Sequence, residues 1–139
     1  MSCVLRASGA DFQVDDFLRQ SSLKALVVVH RGDARPPRSN STGIRHESSG
    51  MNISVSTREF SDLGGQIEDA LQFLSKNIKE LRRLRDFPGV EGIRLDFPVE
   101  DRDVVFQSDT FPHKLLALMG DLGIGLTVSR YPAPDNRQC

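Results

Sequence analysis

Cysteine and tryptophan are scarce in this sequence of 139 residues. It contains no tryptophan and two cysteines, Cys3 and Cys139, which stand at opposite ends of the chain. This arrangement does not support a disulfide-stabilised fold. The single tyrosine and eight phenylalanines, most of them at positions expected to be buried, do not provide the aromatic platform on which single-stranded nucleic acids or sugars stack.

Long hydrophobic runs and an excess of one charge are also missing. No segment approaches the roughly 18 consecutive apolar residues of a transmembrane helix, and the first residues lack the basic and apolar regions of a signal peptide. We therefore expect a cytoplasmic protein. The charges of the 18 basic and 19 acidic residues nearly cancel. The protein therefore lacks the positive electrostatic field that attracts nucleic acids and anionic membranes. We expect neither of them as a partner.

Signatures of common active sites are absent as well. His30, His46 and His113 are far apart, and no His-x-x-x-His or Cys-x-x-Cys spacing is present, so we expect no metal site. The glycine pairs at 64–65 and 123–125 lack the further glycines and the lysine of a phosphate-binding loop. The sequence therefore predicts no catalytic residue and no cofactor.

Apolar periodicity is the main signal that is present. Strands are predicted near 3–7, 25–30, 51–55, 93–97, 104–108 and 124–128, and helices near 11–23, 62–85 and 112–122. The segment at 25–30 is a continuous apolar run, which favours a buried strand. The strongest helical stripe runs from Ile67 to Leu81 with apolar residues at alternating spacings of four and three, which predicts one continuous helix.

The order of these elements, β-α-β-β-α-β-β-α-β, indicates an α+β fold. We expect a two-layer sandwich with a ferredoxin-like β-α-β-β-α-β core and an extra β-α-β extension. A doubly wound parallel sheet would require helices on both faces and a more regular alternation of strands and helices. Residues 1–131 are predicted to form a single domain, and the proline-containing residues 132–139 a flexible tail.

Residues 32–49 form a long polar loop between two predicted strands, and such loops are often functional. If these strands pair as a hairpin, polar side chains converge at the base of the loop and can hold an anionic ligand. The candidate ligand-binding residues are His30, Arg31, Arg35, Arg38, Arg45, His46, Glu47 and Ser49. The alternative interpretation is a solvated loop whose arginines cover apolar surface.

Two segments carry opposite charge. Residues 31–46 contain four arginines and one acid, whereas residues 96–109 contain five acids and one arginine. Such segments can dock within the chain, between copies, or on a different protein. The acidic segment lacks the ligand spacing of a calcium-binding loop.

Several short motifs are spread along the chain: an opening stretch at 9–32, a Ser-Gly pair before the third strand, a long central helix and a closing strand. The residues of these motifs are Asp11-Phe12, Phe17-Leu18, Leu23, His30-Arg31-Gly32, Ser49-Gly50, Ser129 and Tyr131. Together they resemble the DUF4279-type family, which comprises small bacterial α+β domains of unknown function. The resemblance implies a bacterial cytosolic domain, related to immunity-like or interaction proteins, and it implies no active site.

Two functional hypotheses follow. The first is a non-enzymatic, immunity-like interaction module that holds a protein partner, or a second copy, with a sheet face or edge and the arginine loop. The second is a small anionic-ligand-binding protein or enzyme with a pocket at the base of the 32–49 loop. In that pocket Arg31 and His46 would hold the anion and Glu47 would act as acid or base. A concave pocket lined by His30, Arg31, His46 and Glu47 would favour the second hypothesis.

Overall fold

The computed structural model describes residues 2–34 and 45–132. It has the mixed α+β architecture that the sequence predicts, and in the described part no helix is long and apolar enough to cross a bilayer. In chain order the elements are β1 Val4–Gly9, α1 Val14–Arg19, β2 Val27–Val29, β3 Ser49–Ser54, α2 Leu63–Lys76, α3 Ile78–Arg85, β4 Gly92–Glu100, α4 His113–Asp121 and β5 Ile124–Tyr131.

The described strands form one sheet in the order β2-β3-β1-β4-β5. Neighbours among β2, β3, β1 and β4 are antiparallel, whereas β5 is parallel to β4. A parallel pair needs a crossover connection, and the segment that contains α4 provides it. The first strand of the chain therefore lies in the middle of the sheet.

One face of the sheet packs against the helices. Leu5 lies opposite Ile53 on one side and Leu95 on the other, and all three side chains are buried. All four helices contribute buried side chains to this same cluster, among them Phe17, Leu74, Leu81 and Leu115. Because strand side chains alternate between faces, the polar residues between these apolar positions lie on the opposite face. None of the four described helices covers this face, and we call it the helix-free face.

The predicted long central helix is interrupted at Asn77, which separates α2 from α3. The Asn77 backbone has φ −116° and ψ 23°, and its side-chain Nδ2 donates a hydrogen bond to the carbonyl oxygen of Phe73 at 2.8 Å. The same carbonyl oxygen also accepts a hydrogen bond from the Asn77 backbone N–H at 3.1 Å, so the side chain adds a contact at the break. The prediction of one continuous helix was therefore wrong. The spacing of apolar residues does not reveal the break, because Leu74 before it and Leu81 after it both lie in the core.

The strand predicted at 25–30 is present, but the prediction that it is buried was wrong. The strand β2 comprises only Val27–Val29, and it pairs on one side with β3 at the edge of the sheet. Val28 packs against the core, whereas Leu26 and Val27 are 52% and 44% exposed. The apolar run therefore marks a short edge strand with one face open.

The predicted strand at 104–108 is a loop in the structure. Val105 and Phe106 are highly exposed, and the loop is held by Gln107 instead of by strand pairing. The Gln107 Oε1 accepts a hydrogen bond from the Arg102 backbone N–H at 2.9 Å, and its Nε2 donates to the Glu100 carbonyl oxygen at 3.2 Å. The sheet consequently has five described strands where six were predicted.

Candidate functional site

His30 and Arg31 stand at the base of the predicted binding loop, and both contact acids. His30 Nε2 lies 2.7 Å from an Asp15 carboxylate oxygen, and His30 Nδ1 lies 3.3 Å from Asp33. Arg31 Nη1 lies 3.5 Å from an Asp11 carboxylate oxygen. Since Asp15 belongs to α1, the His30 side chain lies on the helix side of the sheet.

The hydrogen bond that the His30 ring donates to the Asp15 carboxylate raises the pKa of His30 above its usual 6.5. The charge of Asp15 and the contacts with Asp33 raise this pKa further, whereas desolvation opposes the shift. A histidine in this environment keeps its positive charge to higher pH. His30 is therefore engaged with protein carboxylates of its own chain.

The two ends of the loop are joined by backbone hydrogen bonds. The Gly32 N–H donates to the His46 carbonyl oxygen at 2.9 Å, and the His46 N–H donates to the Asp33 carbonyl oxygen at 2.9 Å. Arg45 adds a side-chain bond, from Nη1 to the Gly32 carbonyl oxygen at 2.7 Å. These contacts fix the base of the loop and bring His46 close to the strands.

Ser49 and Glu47 complete the predicted set within the described residues. The Ser49 Oγ accepts a hydrogen bond from the Arg31 backbone N–H at 2.9 Å, so this hydroxyl has a structural contact. The Glu47 side chain is exposed. Arg35 and Arg38, the other two predicted ligands, lie outside the described residues.

Two concavities meet on the helix-free face of the sheet. One, of about 300 Å³, lies at the base of the loop next to Arg45 and Glu47. The other, of about 330 Å³, extends across the sheet to Arg6 and Arg94. The two concavities share the lining residues Ser8, Val29, His46 and Gly50. We refer to the larger one, lined by Arg6, Ser8, Val27, Val29, His46, Gly50, Asn52 and Arg94 among others, as the sheet trough.

The structure brings together only part of the predicted site. Arg45, His46, Glu47 and Ser49 line the concavity at the loop base, whereas His30 and Arg31 line neither this concavity nor the sheet trough. Sequence reasoning did not single out the two arginines of the sheet trough. Both alternate with apolar residues in strands, which is a signal for a position on the polar face, but strand pairing is needed to bring them together.

A polar network beside the sheet trough orients Arg6. The Arg6 Nε and Nη2 atoms both lie 3.2 Å from one carboxylate oxygen of Asp96. The other carboxylate oxygen of Asp96 accepts a hydrogen bond from the Ser129 hydroxyl at 2.6 Å. Asp96 is only 8% exposed, so the three side chains link β1, β4 and β5 through a well-shielded carboxylate.

Nucleophilic and metal-binding groups are not assembled in the described part of the chain. Its His, Cys, Asp and Glu side chains form no group of three that could hold a metal ion. Cys3 is fully buried, and burial, followed by the charges of Asp96 and Asp69, raises the pKa of its thiol to about 12. Such a thiol is not a nucleophile at neutral pH.

In the acidic segment 96–109, nearby arginines partly neutralise the carboxylates. Arg102 Nη2 lies 3.4 Å from Asp109, and Arg130 Nη1 lies 3.7 Å from Asp101. Among the described residues, no ion pair joins 31–46 to 96–109. Docking of these two segments within one chain is therefore not observed in that part of the structure.

Comparison with known proteins identifies one family. The model of DUF4279, a domain of unknown function, matches residues 1–133 and thus nearly the whole chain. No curated protein and no solved structure matches the sequence. The resemblance carried by the turn and core motifs is confirmed, and the chain belongs to the DUF4279 family.

Proposed function

We propose that this domain is a non-enzymatic protein-interaction module that docks through the loop between β4 and α4. The supporting observation is the exposure of three consecutive apolar residues: Val104 is 55% exposed, Phe106 is 81% exposed, and Val105 between them is fully exposed. Single apolar side chains are common on protein surfaces, but contiguous ones indicate contact sites. We call residues 101–109 the apolar-acidic loop.

Hydrogen bonds hold the apolar-acidic loop in shape. Besides its contacts with Arg102 and Glu100, Gln107 donates from Nε2 to an Asp109 carboxylate oxygen at 3.0 Å. Arg102 in turn lies close to the other carboxylate oxygen of Asp109. A loop ordered before binding loses less conformational entropy when a partner docks. The exposed apolar side chains therefore lie on a loop that is already ordered before a partner binds.

The charge of this loop indicates the class of partner. Asp101 and Asp109 pair with Arg130 and Arg102, whereas the exposed Asp103, next to Val104, has no ion pair with any described residue. Such a surface matches a protein that offers an apolar pocket with a basic group at its rim. Phe106 would fill the pocket, and Asp103 would accelerate encounter and set its orientation.

The test compares the wild-type chain with a Val105→Ser/Phe106→Ser variant as bait in a lysate of its own cells. The control variant is Leu116→Ser, which removes an apolar residue of α4 that is 43% exposed. The captured partner is then purified and its affinity measured by calorimetry. We expect the loop variant to lose about tenfold or more in affinity, since buried anchors contribute most of the binding energy. Affinity should be unchanged in the control.

The variant Asp103→Lys tests, in the same experiment, whether the negative charge of the loop contributes to binding. It should slow association with the purified partner and weaken the salt dependence of the rate. A partner that binds both loop variants as tightly as the wild-type chain would overturn the proposal. So would a purified partner that binds only through another surface.

We also propose a finer description of the fold. The order β2-β3-β1-β4, antiparallel throughout, supports a ferredoxin-like core, and α4 with β5 would be its β-α-β extension. In this proposal residues 1–131 act as one domain and 132–139 as its tail.

A further inference from the structure

Arg6 and Arg94 form an unusual pair across two neighbouring strands. They lie directly opposite each other in the register of β1 and β4, on the helix-free face. Like charges in such positions repel unless a counter-charge is present. Asp96 supplies one for Arg6, whereas Arg94 is exposed and has no ion pair or side-chain hydrogen bond with any described residue. One positive charge of the pair is therefore left without a counter-charge in the described part of the chain.

The surface next to these arginines is depressed because the neighbouring side chains are small. In the adjoining row of the sheet, Ser8 lies opposite Gly50 on one side and Gly92 on the other. Val27 and Val29 border the depression along the edge strand β2, and His46 closes it at the loop base. The resulting volume of about 330 Å³ is at the lower end of the range of small-molecule sites.

Hydrogen-bond donors converge on this depression. Arg6 has five N–H groups, of which the contacts with Asp96 use Nε and Nη2, so Nη1 stays available. Because Ser129 in turn holds Asp96, the Arg6 guanidinium is fixed before any ligand arrives. Asn52 lies opposite Arg6 on the other side of β1 and lines the same trough, where its amide is a further polar group.

We propose that the sheet trough binds a small ligand through an oxyanion, a carboxylate or phosphate group, held between Arg94 and Arg6. Arginine recognises both groups through paired charge-assisted hydrogen bonds. Asn52 and His46 contribute further polar contacts. The limited volume favours a small molecule, and this site is independent of the protein interaction proposed for the apolar-acidic loop.

The test is an NMR titration of the full chain with two probes, inorganic phosphate and succinate. We expect saturable shifts of the arginine Nε–H signals of Arg94 and Arg6 and of the backbone amides of Ser8 and Asn52. Saturation by phosphate alone would assign a phosphate ligand, and saturation by succinate alone a carboxylate ligand. Saturation by neither probe would overturn the proposal.

Three variants make the test specific. Arg94→Gln removes the free guanidinium, and Ser8→Leu fills the trough without changing its charge. Each should weaken binding by about tenfold or more, as expected for loss of a charge-assisted contact. Arg130→Gln is the matched control: it also removes a strand arginine, but its register partner Val99 belongs to the buried face of β4. This control should bind like the wild-type chain.

Two further results would contradict the proposed site. Binding that persists at wild-type strength in both Arg94→Gln and Ser8→Leu would place the anion elsewhere. Equal weakening in Arg130→Gln would show that the probes respond only to net charge. Circular dichroism of each variant tests whether the fold is retained. We expect both variants to be folded, because Arg94 and Ser8 are exposed.

Discussion

The contact between His30 and Asp15 joins the base of the 32–49 loop to α1, and it carries a pH dependence. The folded-state pKa of His30 is raised above its usual 6.5. This contact therefore favours the folded state fully below the unfolded pKa, and the effect is lost as pH rises through the folded pKa. Below about pH 6.5 the loop base is thus most firmly attached to the helix.

The variant Asp15→Asn should lower the pKa of His30, since it removes the largest cause of the shift. The measurement is an NMR titration of the histidine ring protons. Asp33→Asn should lower the same pKa by less. As a control, Asp16→Asn changes a neighbouring acid of α1 that pairs with Arg19, and should leave the titration of His30 unchanged. An unaltered midpoint in Asp15→Asn would contradict this assignment.

A second residue-level contact is buried entirely. Gln66 of α2 is 0% exposed, and its Nε2 donates to the carbonyl oxygens of Glu59 and Pro98 at 3.2 and 3.1 Å. Its Oε1 is the one buried side-chain nitrogen or oxygen atom of the described residues without a hydrogen-bond partner. The two satisfied carbonyl groups explain why a polar side chain is retained in this position.

We expect Gln66→Leu to destabilise the fold by about 1–3 kcal/mol, because the buried Pro98 carbonyl oxygen loses the Gln66 donor. The Glu59 carbonyl oxygen still accepts a hydrogen bond from the Asp62 backbone N–H at 2.9 Å. Equilibrium unfolding in urea measures this change. Gln72→Leu, at an exposed position of the same helix, should change stability by less than about 0.5 kcal/mol. Equal stability of the Gln66→Leu variant and the wild-type chain would refute this role of the amide.

At the level of the elements, two turns approach each other so closely that only glycine fits. A Cβ atom at Gly9, the end of β1, would lie 1.8 Å from the carbonyl oxygen of Gly89. Gly89 itself has φ +89°, and a Cβ there would lie 2.3 Å from the Asp11 carbonyl oxygen. The connection between α3 and β4 is thus packed backbone against backbone on the segment that follows β1.

Gly9→Ala should therefore destabilise the fold by about 2–4 kcal/mol, since backbone atoms must move to admit one methyl group. Gly64→Ala is the control: its Cβ meets nothing within 4 Å and lies in α2, so we expect it to be neutral or to stabilise by up to about 1 kcal/mol. Thermal unfolding compares the two variants. A Gly9→Ala variant as stable as Gly64→Ala would show that the close approach is not required.

Sequence patterns predicted elements well where one period dominates. Alternation located β1, β3 and β4, because each has one apolar face over the helices. It also located β5, although only Ile124 of that strand is buried, and Leu126 and Val128 are 41% and 42% exposed. Patterns failed at two local features. The backbone leaves helical geometry at Asn77, and side-chain hydrogen bonds of Gln107 hold the segment near Phe106 in place of strand pairing. The run at β2 failed because apolar composition alone does not distinguish a central strand from an edge strand.

At the level of the whole molecule, the candidate site was only partly accessible from sequence. Residues close in the chain, such as Arg45 and His46, were found because they belong to one conspicuous loop. Arg6 and Arg94 were not, since they are far apart in sequence and meet only through the register of two strands. The order of strands is set by long-range pairing, which no local pattern specifies.

Because β1 lies in the middle of the sheet, it is synthesised before both of the strands with which it pairs. On the ribosome β1 emerges first, yet its partners β3 and β4 follow much later, with Leu5 finally opposite Ile53 and Leu95. Pairing so distant in sequence is slow, because long loops must close before contacts form. Until β4 has left the exit tunnel, β1 can pair only with β3, and its other edge stays unpaired. We therefore expect truncated translation products that end before β4 to depend most on chaperones.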